Sequence, residues 1–121
     1  MFLLVGCAGA ADYEIKLING FKVIRSSVDK VCIGSPDYSY DNVLVPLYTY
    51  YEEGEYVIEV GHDKERYIIA KTNLDNYYIL DTKDALVSGP FDKAKFDTTK
   101  EKIGIPESVE LKDLDEYEKI N

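Results

Sequence analysis

Between Tyr13 and Ser88 the chain is divided into short apolar-rich stretches, each closed by a turn signal after a few positions. A chain written this way has no room for long helices and must pair strands with their neighbours. Tyr13-Glu14-Ile15-Lys16-Leu17 alternates apolar and polar residues, the period of a half-buried strand. Asn19-Gly20 follows, a dipeptide whose residues both tolerate the positive φ of a tight hairpin turn. A two-residue turn there pairs Ile18 with Phe21 and Glu14 with Arg25. It gathers Tyr13, Ile15, Leu17 and Ile24 on the core face.

The pattern repeats downstream. Residues 30–33 read as a short third strand, and 34–42 as a loop rich in Gly, Pro, Ser, Asp and Asn. Residues 43–51 resume a strand in which Pro46 marks an edge or a break. Further strands are expected over 56–60, 66–70, 77–81 and 85–88, separated by Gly-, Asp- and Asn-bearing turns. The result is an antiparallel β-meander of about seven or eight short strands, closing as one curled sheet, a small barrel or a blade-like stack.

After Ser88 the period changes. Gly89-Pro90-Phe91-Asp92 ends the sheet, and Asp92 is a good N-cap, accepting from the amide of Ala94 or Lys95. Phe91 before the cap and Phe96 inside the first turns form a hydrophobic staple. Ile103 continues the stripe and Gly104 closes the helix, which spans 93–103 and packs on Ile68, Ile79 and Leu80 or their neighbours. The acidic remainder has Val109, Leu111, Leu114 and Tyr117 as anchors, consistent with a short docked strand or turn and a frayed end. The fold class is α+β: the meander with one C-terminal helix packed on the sheet.

The N-terminus carries the strongest statement about location. Leu4-Val5-Gly6-Cys7 resembles a lipobox: Leu, a small or aliphatic residue, Gly or Ala, then Cys. The run Ala8-Gly9-Ala10-Ala11 suits a tether between lipid and domain. The apolar stretch is too short to span a bilayer, since charge appears at Asp12 and about 20 apolar residues are needed. The resemblance implies diacylation of Cys7 and a lipid anchor on the extracytoplasmic face of the cell membrane, two acyl chains sufficing for stable anchoring. A buried first strand and the stump of a secretory signal are the alternatives. Residues 1–11 thus read as lipoprotein signal remnant and tether, and 12–121 as one β-rich domain. If Cys7 carries lipid, Cys32, the only other cysteine, is expected as a buried thiol rather than a disulfide partner.

The series Tyr77-Tyr78-Ile79-Leu80-Asp81-Thr82, Gly89-Pro90-Phe91-Asp92, Phe96 and Gly104-Ile105-Pro106, together with the lipobox and the first hairpin, is similar to small bacterial lipoproteins of a domain-of-unknown-function family. These motifs are structural, a strand, a turn and a capped helix. The resemblance therefore implies location and fold and assigns no activity.

Charge narrows the partners. The formal net charge of the 121 residues is -9 and the lysines form no basic face, which excludes nucleic acid on electrostatic grounds. No catalytic, cofactor or metal motif is present. His62 is the only histidine, in a turn without a placed nucleophile. Glu52-Glu53-Gly54-Glu55 lacks the ligand spacing of a calcium loop and reads as a solvated hairpin turn. The 11 tyrosines, with no tryptophan, are the unusual feature. In Tyr50-Tyr51 and Tyr77-Tyr78 adjacent rings point to opposite faces, so some rings are expected outside the core. Tyr48, Tyr50, Tyr51, Tyr67, Tyr77 and Tyr78 are the candidate binding surface for a protein or glycan ligand. The expected function is that of a non-enzymatic binding or accessory module. The alternatives are an inhibitor or immunity protein capping a cationic partner and, in a different class, a hydrolase using His62 or Glu52 and Glu53.

Overall fold

The structure is a computed structural model describing residues 13–36, 43–46 and 54–120. Its elements are β1 (Tyr13–Lys16), β2 (Lys22–Ser27), β3 (Lys30–Gly34), β4 (Val43–Val45), β5 (Val57–His62), β6 (Tyr67–Thr72), β7 (Tyr77–Asp81), β8 (Leu86–Phe91), α1 (Lys93–Ile103), β9 (Lys112–Asp113) and a 3-10 turn (Leu114–Glu116). The class is α+β with antiparallel pairing, as the alternation and the capped helix predict. The meander is not one sheet. It divides into a four-stranded sheet ordered β1-β2-β3-β4 and a five-stranded sheet ordered β8-β7-β6-β5-β9. The division follows Pro46, which has no N–H with which to extend a ladder. Beyond it β5 pairs with β6 and β9 instead of β4.

One core lies between the sheets. Ile15, Phe21, Val23, Val31, Ile33 and Val45 of the first meet Val57, Val60, Ile68, Ala70, Tyr78 and Leu80 of the second. A second cluster lies on the outer face of the five-stranded sheet, where Ile69, Tyr77 and Ile79 pack against Phe96, Ile105 and Val109. The layers are therefore sheet, sheet and helix.

The first hairpin differs from its expected register by one residue. Phe21 N donates to Ile18 O at 3.0 Å, but Leu17 N, not Ile18 N, donates back to Phe21 O at 2.9 Å. Two residues thus oppose one, a bulge. Ile15 faces Val23, and Glu14 faces Ile24 rather than Arg25. Because the side-chain period is two, this shift puts Val23 in the core and leaves Ile24 half-buried. The same turn joins the sheets. Asn19, at φ 55, donates from Nδ2 to Glu65 O at 2.9 Å and to Thr82 Oγ1 at 2.8 Å.

Gly61 lies inside β5 rather than in a turn. A Cβ there would lie 2.1 Å from Glu110 O, so only glycine lets the C-terminal chain cross this close. β8 likewise continues through Gly89-Pro90 to Phe91, with a register shift opposite Tyr77 and Ile79.

Helix α1 has the expected limits. Asp92 Oδ1 accepts from Lys95 N at 2.7 Å, and Gly104 caps the other end in the left-handed conformation. Phe96 is the one buried residue of α1; its ring stacks on Tyr77 at 4.8 Å, and Phe91 packs at the cluster's edge. Ile79 lies beneath it as predicted. Ile68 and Leu80 do not, because alternation turns them to the inter-sheet face and presents Ile69 instead. Ile103 is 41% exposed, and the stripe is completed past the cap by Ile105.

The C-terminal segment is docked as far as Ile120. β9 pairs with β5, Leu114 inserts between the sheets, and Tyr117 Oη donates to Val60 O at 2.7 Å. Ile120 and Glu14 exchange two backbone bonds of 2.8 Å. The tail therefore runs from the edge of one sheet to the edge of the other, in place of the expected frayed end.

Truncating a buried Phe to Ala costs about 3–5 kcal/mol and loss of an N-cap about 1 kcal/mol. Phe96→Ala should accordingly lower the urea midpoint far more than Asp92→Ala. Equal, small shifts would show that α1 is not anchored through this ring.

Candidate functional site

Of the six tyrosines marked as a binding surface, Tyr48, Tyr50 and Tyr51 lie outside the described residues. Tyr77 and Tyr78 are inside the protein, 8% and 2% exposed. Their rings do point to opposite faces, but both faces of β7 are covered, one by α1 and the other by the first sheet. They are corrected from surface to core. Tyr67 is half-buried beside the helix cluster, with the Arg66 guanidinium 5.2 Å from its ring centre.

A different pair of tyrosines comes together at a shallow groove of about 290 Å³. Tyr13 and Arg25 form one wall, Tyr56 another, with Asp113 and Asp115 from the C-terminal crossing. Val31, Val57 and Leu114 underlie it, and Val28 lies at the rim, 71% exposed. The Tyr13 ring has two cations against it, Arg25 at 5.2 Å and Lys119 at 5.4 Å. Burial raises the Tyr13 phenol above its ordinary value; Arg25 opposes this, and Asp115 and Asp113 add to it. At neutral pH the hydroxyl keeps its proton and can donate to a ligand. Tyr13, Tyr56 and Arg25 are of the residue types enriched at protein interfaces, and here they stand over an apolar floor. Its assembly was hidden from pattern reading because its walls come from β1, β2, the start of β5 and residue 113 onward.

Glu55 also departs from its expected place in a solvated turn. It is fully buried, accepting from Thr72 Oγ1 at 2.5 Å and Asn76 Nδ2 at 2.8 Å, and is not part of a solvated turn. Nearby, Asn73 Oδ1 accepts from Tyr56 N at 2.7 Å. These bonds fix the chain where it enters β5 and positions Tyr56. The available signal was phase: Glu55 alternates with the inward Val57. Glu52 and Glu53 lie outside the described residues, as does Cys7. Cys32 is buried in β3.

His62 ends β5 half-buried, its Nδ1 2.7 Å from Asp63 O. Among the described residues no three His, Cys, Asp or Glu side chains converge as a metal site, and no helix is long and apolar enough to cross a membrane.

The opposite end of the second sheet holds its electrostatic lock. Arg66 donates to both Asp81 oxygens at 2.9 and 2.7 Å. Asp63 Oδ1 accepts from the amides of Glu65, Arg66 and Tyr67. The Arg66 hydrogen bond lowers the Asp81 carboxyl below its usual range. Burial tends to raise Asp63, but the three amides outweigh it and the group is also lowered.

These features define a small two-sheet α+β domain with a groove where the ends of the sheets meet. The chain belongs to the family described as Protein of unknown function (DUF3997), which matches residues 18–115, from the first hairpin to the 3-10 turn. No curated protein and no solved structure matches it.

Carboxyls lowered on folding contribute stability above their unfolded value of about 4 and lose it as pH falls through the folded value. Urea midpoints should therefore drop on acidification below about pH 4. Asp81→Asn should be less stable than wild type at neutral pH and show a shallower acid loss. An unchanged acid profile would remove Asp81 from this role.

Proposed function

We propose that this chain is a membrane-anchored lipoprotein of the extracytoplasmic face of a bacterial cell, a non-enzymatic binding or accessory module held by lipid on Cys7. The observation that carries the reading is Leu4-Val5-Gly6-Cys7 followed by Ala8-Gly9-Ala10-Ala11, directly ahead of the domain that starts with β1 at Tyr13. Two acyl chains on one cysteine give stable anchoring where one alone is reversible. The Tyr13–Tyr56 groove is the surface such a module would offer to a ligand. Metabolic labelling with a fatty-acid analogue, using the gene with its own upstream sequence, tests the anchor. Wild type should label and fractionate with membranes, and Cys7→Ser should do neither. Equal labelling of the variant would end the reading.

A second reading is an inhibitor or immunity protein for a cationic partner. Asp113 and Asp115 at the groove, on a chain of net charge -9, favour it. With the purified chain as bait, a basic protein should be captured, and capture should weaken as salt rises. Retention of a glycan with no protein partner would count against it.

A further inference from the structure

The Asn19-Gly20 turn has chemistry that its structural role does not use. Of the asparagines in the chain only Asn19 precedes glycine, the residue that least shields its own amide nitrogen from the preceding side chain. Asn19 and Gly20 are both exposed. Among the described residues the Gly20 amide enters no hydrogen bond, whereas the neighbouring Phe21 amide is committed to Ile18 O. The Asn19 side chain, in turn, is a bond between the two sheets, donating to Glu65 O and Thr82 Oγ1. Thr82 passes the connection on, donating its own proton to Arg66 O.

We propose that Asn19 is a deamidation site whose conversion cuts this link between the sheets. The Gly20 nitrogen, giving its proton to solvent base, attacks Asn19 Cγ. The Cγ–Nδ2 bond breaks, ammonia leaves, and a five-membered succinimide forms. Water then opens the ring at either carbonyl, giving aspartate or isoaspartate. Solvent supplies the base and the water, and no redox step is involved. The product has lost the two N–H donations and places a carboxylate against the Glu65 carbonyl oxygen, on a chain already at -9. The isoaspartate form also lengthens the backbone inside a turn whose register sets the core face of β1 and β2. The hydrogen bonds that the reaction destroys are the ones that hold Asn19 away from it, so each loosening of the turn favours the next.

The test is timed incubation of the full chain at mildly alkaline pH, with peptide mapping by mass spectrometry. Asn19 should convert before Asn42, Asn73 and Asn76, and Thr82→Val, which removes one of the two acceptors, should accelerate it severalfold. Asn19→Asp should melt about 4 °C or more below wild type. Should that variant fail to fold, hydrogen exchange on the partly converted wild-type chain gives the same readout. Its converted fraction should exchange faster in residues 14–24 and 64–82. Conversion of the other asparagines first, an unchanged rate in Thr82→Val, or identical exchange in the two fractions would each overturn the proposal.

Discussion

Burial of the five-stranded sheet on both of its faces governs most of this structure. Ile68 and Ile69, and Tyr77, Tyr78, Ile79 and Leu80, are neighbours in sequence and point alternately into two different apolar layers. A sheet with one solvated face would have left half of these residues in water. Here the first sheet covers one face, and a thin layer built on Phe96, Ile105 and Val109 covers the other. Helix α1 contributes little apolar surface of its own, so its place depends on the stack of Phe96 on Tyr77.

The two sheets are joined by polar bonds at their perimeter as well as by the core between them. Asn19 ties the first hairpin to the turns after β5 and β7. The tail ties β5 to β1 through β9, Tyr117 and Ile120. Glu55 holds the entry to β5 through Thr72 and Asn76. Such bonds are individually modest but directional, and a buried acceptor left without its donors is costly. They select one docking of two sheets that hydrophobic burial alone would hold together less specifically.

The groove and the proposed anchor lie at the same end of the domain in sequence. Tyr13, which forms a wall of the groove, follows Cys7 so closely that the intervening chain can span at most about 21 Å. On the lipoprotein reading, the groove would face or skirt the membrane surface rather than project into the surroundings. A ligand would then be met close to the bilayer. The acidic character of the domain would hold anionic headgroups off, leaving the acyl chains as the membrane contact.

The local elements were legible in the residues because their causes are local. Asp92, Gly104 and the apolar positions between them specify a helix over 93–103 whatever it packs on, and turn residues separate the strands of the second sheet, although β5 runs on through Gly61 and β8 through Gly89-Pro90. The same holds for Asn19-Gly20 as a turn, but not for its register, since a bulge at Leu17 and Ile18 changes the core partner from Ile24 to Val23. Division into two sheets, burial of Tyr77 and Tyr78, the buried Glu55 and the Tyr13–Tyr56 groove were decided by tertiary structure. Alternation states that two adjacent rings point apart, but not whether each meets water or a second layer. That depends on segments far away in the chain, here Phe96 on one side and the first sheet on the other.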